Sequence, residues 1–203
     1  ESIQTQISLK SLIDDKFSLE NLEISTKSLE ISNLISFIRS LNNTTELFIL
    51  ESIIKKGYLI ADIKLEFDSE GKIRDNYTIN GFVKDAKLGI LKRYNIKKLN
   101  FIFGYKNDNL ILEDMAFLLN DLNFFSNRTS FKKVKNEFII DGNADYKGLD
   151  LNDENIKLFI TPLFPDLNIK KIKFSSNNNF SFKINKKFQI KDLILDSDIK
   201  LKE

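Results

Sequence analysis

The chain has 203 residues, 42% of them hydrophobic and 30% charged, with 31 basic against 29 acidic side chains and a formal charge of +2, a composition that folds into one sizeable domain and excludes a disordered acidic tail or a membrane bundle. The balanced charge leaves no basic stripe for phosphate, so nucleic acid is not expected as a partner. Cysteine and histidine are both absent, which removes disulfides, thiolate metal sites, the commonest general base and the usual nucleophile triads.

The chain begins at Glu1 without an initiator Met, a leader or an apolar run of about 18 residues, and is expected to be an excerpt of a longer protein. In its first quarter Leu34, Phe37, Ile38 and Leu41 follow Ser32 as an N-cap, and Leu47, Leu50, Ile53 and Ile54 precede Gly57 as a stop. This spacing predicts two short amphipathic helices that cap a sheet. From Gly57 the period changes to two: Leu59, Ala61, Ile63, Leu65 and Phe67 alternate with Asp62, Lys64 and Glu66, the pattern of a strand with one apolar face.

The alternation returns in Leu99, Phe101, Phe103 and Tyr105, in Leu110 and Leu112, in Phe138 and Ile140, in Phe180, Phe182 and Ile184, and in Leu193, Leu195, Ile199 and Leu201. Turn residues separate these runs at Asp68 to Gly71, Lys106 to Asn109, Ser175 to Asn179, and Asn185 to Lys187. Consecutive antiparallel pairing is the simplest topology. Pro162 and Pro165 avoid every periodic run, and the stretch from Asp153 to Phe164 reads as a helical or irregular excursion. The expected fold is therefore mainly β, a long antiparallel meander of about ten strands with short helices near the N-terminus. Its expected divisions are 1–56, an N-terminal strand with amphipathic helices; 57–148, a first meander repeat; and 149–203, an inserted loop or helix and a second meander, all in one continuous sheet.

The repeat rests on three ordered matches: Ile79-Asn80-Gly81 with Ile140-Asp141-Gly142, Ile96 to Phe101 with Ile169 to Phe174, and Leu110 to Asp114 with Phe188 to Asp192. A Gly opening a long strand at Gly57 to Asp62, the Ile79-Asn80-Gly81 strand running into Asp85 to Leu88, and Leu99-Asn100-Phe101 leading to Asn109 to Asp114 together resemble the AsmA-like group of TamB- and YhdP-type proteins. That resemblance covers roughly Leu29 to Leu201 and is one of pattern, because the group has no catalytic signature. It implies a repeating β-groove in the bacterial periplasm, tethered to the inner membrane by a segment outside this chain and engaged in phospholipid transport and outer-membrane biogenesis. On that reading Leu59, Ile63, Leu65, Leu99, Phe101, Phe103, Leu110 and Leu112 face lipid, and the partners are phospholipid acyl chains, flanking repeats of the same chain and envelope proteins.

The alternative is a structural or interaction module whose sheet closes on its own helices and recruits partners at its edges. Enzyme chemistry, cofactors and metals are not expected. Adjacent carboxylates at Asp14-Asp15, Glu113-Asp114 and Asp153-Glu154 point to opposite faces if extended. Asp141-Gly142-Asn143-Ala144-Asp145 spaces oxygen ligands at alternate positions but lacks the downstream Glu of a calcium hand, and no Gly-rich phosphate loop is present.

Overall fold

The computed structural model describes residues 2–7, 19–41, 45–90, 94–135, 137–148, 151, 153–157, 161, 166, 172–185 and 189–201. Strands β1 (Ser2–Ile7), β2 (Leu19–Ser25) and β3 (Leu29–Glu30) lead into helices α1 (Ile31–Leu41) and α2 (Thr45–Ile53). Strands β4 (Ile54–Glu66), β5 (Thr78–Ile90), β6 (Tyr94–Lys106), β7 (Asn109–Leu119), β8 (Leu122–Val134) and β9 (Glu137–Lys147) then run on, with a short helix α3 (Asp153–Asn155) before β10 (Phe174–Asn185) and β11 (Ile190–Leu201).

All of them form one 11-stranded sheet in the order β1-β2-β4-β5-β6-β7-β8-β9-β10-β11, with β3 beside β4. Every pairing is antiparallel. The two ends of the order do not pair, so the sheet is open. The expected meander with helices near its start is therefore the observed architecture.

Local chemistry explains the turns. Asn107-Asp108 and Asn120-Asp121 hold positive φ at both positions, the two-residue hairpin geometry that Asn and Asp tolerate best. Between β4 and β5 the Asp68 carboxylate accepts the main-chain N–H groups of Glu70 and Lys72, both at 2.9 Å, and Gly71 adopts φ +78°. Those hydrogen bonds hold the Asp68 carboxyl below its ordinary range.

Three sequence expectations are corrected. Helix α1 begins at Ile31, so Ser32 lies inside it and is not its cap. Helix α2 stops at Ile53 and β4 starts at Ile54, so Gly57 sits in a strand, at φ +143°, where a Cβ would meet the Ala86 Cα at 2.9 Å. Ser175 to Asn179 is the first half of β10, not a turn; Asn178 donates to the Ala144 carbonyl and to Ser176, which satisfies the amide within the sheet. Residues 186–188, Pro162, Pro165 and Asp14-Asp15 lie outside the described residues.

A line of irregularities crosses the strands. Gly57 in β4, Asp85 in β5, Lys98 in β6 and Asp114 in β7 have φ of 143°, 50°, 50° and 50°, and the β8–β9 register shifts between Phe125 and Thr129. The register aligns them: Gly57 lies beside Ala86, the Asp85 N–H donates to the Asn100 side chain at 3.0 Å, and Asp114 lies between the Glu113–Arg128 and Met115–Ser126 pairs. On β9 the Asn143 side-chain oxygen closes the line by accepting the Asn127 and Arg128 N–H groups, both at 3.1 Å. Each such bulge bends its strand locally and raises its twist.

Candidate functional site

Alternation divides the sheet into two faces, and the cross-strand register shows which residues share one. Leu22 and Ile24 of β2 pair with Leu65 and Ile63 of β4. Leu59 and Ile63 pair with Val83 and Ile79 of β5; these pair with Phe101 and Tyr105 of β6, and Ala86 with Leu99. Phe103 and Tyr105 pair with Leu112 and Leu110 of β7. All eight residues expected to line a groove therefore lie on this one inner face. The face continues through Phe131, Ile140 and Phe182 to Leu195, Ile199 and Leu201 of β11, the last three placed by the β10–β11 register.

Within that face Leu99 is buried against Val83 and Ala86, while Leu59, Phe101 and Phe103 pack half-buried on them. Ile63, Leu65, Leu110 and Leu112 are likewise half-buried. A second cluster forms on β8 to β10, where Tyr146, Leu151 and Ile156 are 3%, 2% and 5% exposed. An aromatic ladder feeds it: Phe117, Phe124, Tyr146 and Phe174 follow one another with ring centroids 5.6, 5.4 and 5.0 Å apart. Sequence reasoning passed over Tyr146, Leu151 and Ile156. The available signal was Tyr146 at even spacing from Ile140.

At one margin of the face Tyr77 stacks on Tyr105 at 5.6 Å. Tyr77 donates to the Tyr105 hydroxyl at 3.4 Å, and Tyr105 donates to Asp108 at 3.1 Å. The hydrogen bond from Tyr77, then burial and the Asp108 partner, push the Tyr105 phenol well above its ordinary range. It stays a neutral donor throughout the physiological range.

The outer face differs in chemistry. Over β8 to β10 it holds a polar cleft of about 610 Å³ lined by residues that include Arg128, Asp141, Asn143, Asp145, Asn177 and Asn179. Asp141 and Asn143 of the acidic run considered above are already used: Asp141 accepts the Ser181 hydroxyl at 2.6 Å and Asn143 serves the bulge. Among the described residues no group of three or more His, Cys, Asp or Glu side chains converges to hold a metal ion, and no helix is long and apolar enough to cross a membrane.

These observations define a class: an open antiparallel β-meander with one largely apolar face and a line of bulges crossing its strands. No family model, curated protein or solved structure matches the chain.

Proposed function

We propose that the inner face is a lipid-holding groove, a segment of an AsmA-like periplasmic bridge that carries phospholipid between the inner and outer membranes. The carrying observation is the run of apolar side chains on one face from Leu22 to Leu201 across nine consecutively paired strands. A folded core needs a second layer over such a face. Here the described cover is local, with Ile31 of α1 packed on the Val83 cluster and Leu151 and Ile156 on Tyr146. The two faces differ in exposure: Ala61, Val83, Ala86 and Leu99 are 3–7% exposed, while Ile60, Phe82 and Ile102, on the outer face of the same strands, are 36–47% exposed. An acyl chain laid along such a trough gains about 0.8 kcal/mol per buried methylene, so about ten methylenes hold it by roughly 8 kcal/mol without a headgroup contact.

Native mass spectrometry of the chain from detergent-free buffer is expected to show adducts of phospholipid mass. They should vanish in Phe101→Asp, Phe103→Asp and, as a milder pair at half-buried positions, in Leu110→Asp, Leu112→Asp, each checked for retained strand signal by circular dichroism. A clean mass from folded wild-type protein, or adducts undiminished in both folded variants, would overturn the groove.

The second reading, an interaction module in envelope assembly, is favoured by one observation. All of β11 is exposed, with Leu193, Leu195, Ile199 and Leu201 58–73% exposed, and its inner-face positions 193 to 201 carry none of the inward charges that protect natural sheet edges. Leu195→Lys with Ile199→Lys should abolish concentration-dependent association in sedimentation velocity if this edge recruits a strand. Unchanged association would remove that reading.

A further inference from the structure

The outer face of β4 to β6 carries side chains that the groove does not use. Lys56 stands directly opposite Lys87, Tyr58 opposite Lys84, Ile60 opposite Phe82, and Phe82 in turn opposite Ile102. Tyr58, Ile60, Phe82 and Ile102 are 39%, 46%, 36% and 47% exposed, a contiguous apolar patch beside a row of cations.

Like charges directly opposed across two strands destabilise the pair. Lys64, further along β4, is held by Glu23 at 2.8 Å, whereas Lys56, Lys84 and Lys87 have no carboxylate within ion-pair distance among the described residues. The acidic groups at the border are Glu30 of β3, opposite Tyr58 and accepting the Asn33 amide at 3.2 Å, Asp62, two residues beyond Ile60 on β4, Asp85 at its bulge, and Glu113 of β7, opposite Ile102. A cleft of about 470 Å³ opens over the patch, lined by Ser28, Tyr58, Ile60, Phe82, Lys84 and Asp85.

We infer that this face docks on the surface of an anionic lipid bilayer. Phosphates seated between Lys56 and Lys87 and beside Lys84 relieve the repulsion. The lysine stems lie along the apolar patch with their ammonium groups at headgroup level, and Tyr58, Ile60, Phe82 and Ile102 enter the boundary between headgroups and acyl chains. A free phosphate would leave those four side chains in water, and a neutral surface would leave the lysines opposed. The inference stands on the face opposite to the groove and does not depend on it.

The test is co-sedimentation of the chain with vesicles of phosphatidylcholine, with and without phosphatidylglycerol, at rising salt. Binding is expected to require phosphatidylglycerol and to weaken with salt. Lys56→Glu, Lys84→Glu, Lys87→Glu together should lower the partition coefficient about tenfold or more, and Ile60→Ser with Phe82→Ser should also weaken it in folded protein. The groove variant Phe101→Asp, Phe103→Asp, if folded, should bind vesicles as wild type does, so failure of the groove and failure of the docking face are separable.

Absence of binding, equal binding to pure phosphatidylcholine, or wild-type binding by the folded lysine variant would overturn the proposal. So would loss of binding in Phe37→Ser, Phe48→Ser without loss in the lysine variant, since Phe37 and Phe48 on the two helices are 62% and 57% exposed. Thermal stabilisation by inorganic phosphate without vesicle binding would make this a small-anion site and would equally overturn it.

Discussion

Gly81→Ala is expected to destabilise the fold by about 2–3 kcal/mol and to lower the thermal midpoint by about 5–10 °C. Gly81 lies on the inner face of β5 opposite Phe103. A Cβ there meets Cζ and Cε1 of that ring at 2.7 and 2.8 Å and also crowds the Ile60 carbonyl oxygen of β4. The ring escapes only by uncovering the strand it shields, and the carbonyl moves only by loosening the β4–β5 ladder. Gly142 on β9 repeats the device, its absent Cβ lying 2.9 Å from Phe180 Cζ and 2.6 Å from Thr129 Oγ1, so an aromatic ring covers a glycine on each of two strand pairs. Gly89 is the control. A Cβ there finds Lys55 Cε at 3.7 Å, and Gly89→Ala should change stability by less than about 0.5 kcal/mol or raise it slightly. Equal midpoints for both variants in differential scanning calorimetry would refute the ring-on-glycine account.

Those two glycines also show how far the sequence could be read. Gly81 and Gly142 correspond in the first matched pair of blocks, and the blocks fall on β5 and β9; Asp114 and Asp192, which end the third pair, lie on β7 and β11 with φ of 50° and 52°. Corresponding positions therefore recur on every fourth strand, with three strands between them. Strands β4, β6, β7, β10 and β11 were legible because their inner positions are uniformly aliphatic or aromatic over several residues. Strand β8 was not: its inner face includes Phe124, Ser126, Thr129 and Phe131, so two polar residues and the extra bulge residue break the period of two. Ser126 and Thr129 are nonetheless buried, 3.1 Å apart and hydrogen-bonded to each other. Pattern reading cannot find such a strand, because its polar inner groups are satisfied by partners far along the chain or across a bulge. The same limit turned Ser175 to Asn179 into a false turn. The eight groove positions were legible as one face because period two fixes sidedness, whereas which stretches are covered depends on Leu151 and Ile156, whose contacts with Tyr146 no local period reveals.

Tyr146→Ala is expected to cost about 3–5 kcal/mol, lowering the thermal midpoint by roughly 10 °C or more. Tyr146 is 3% exposed and sits in the aromatic ladder, with Phe124 at 5.4 Å on one side and Phe174 at 5.0 Å on the other, beneath Leu151 and Ile156. Removing the ring leaves a cavity bordered by two aliphatic side chains and by two aromatic rings anchored on separate strands, β8 and β10, which cannot collapse together. Leu99→Ala provides the comparison. Leu99 is 7% exposed, yet it is buried mainly by neighbours on its own sheet, Val83 and Ala86, with half-buried residues around them that include Ile31 of α1. If the trough over β4 to β7 is open, as the groove requires, solvent or an acyl chain fills the space left by Leu99, and its cost falls at the low end of the range for a buried leucine, about 2 kcal/mol. A cost for Leu99→Ala matching that of Tyr146→Ala in chemical denaturation would mean that the trough is as closed as the region under Leu151. That result would count against a lipid path along β4 to β7 and in favour of a covered core.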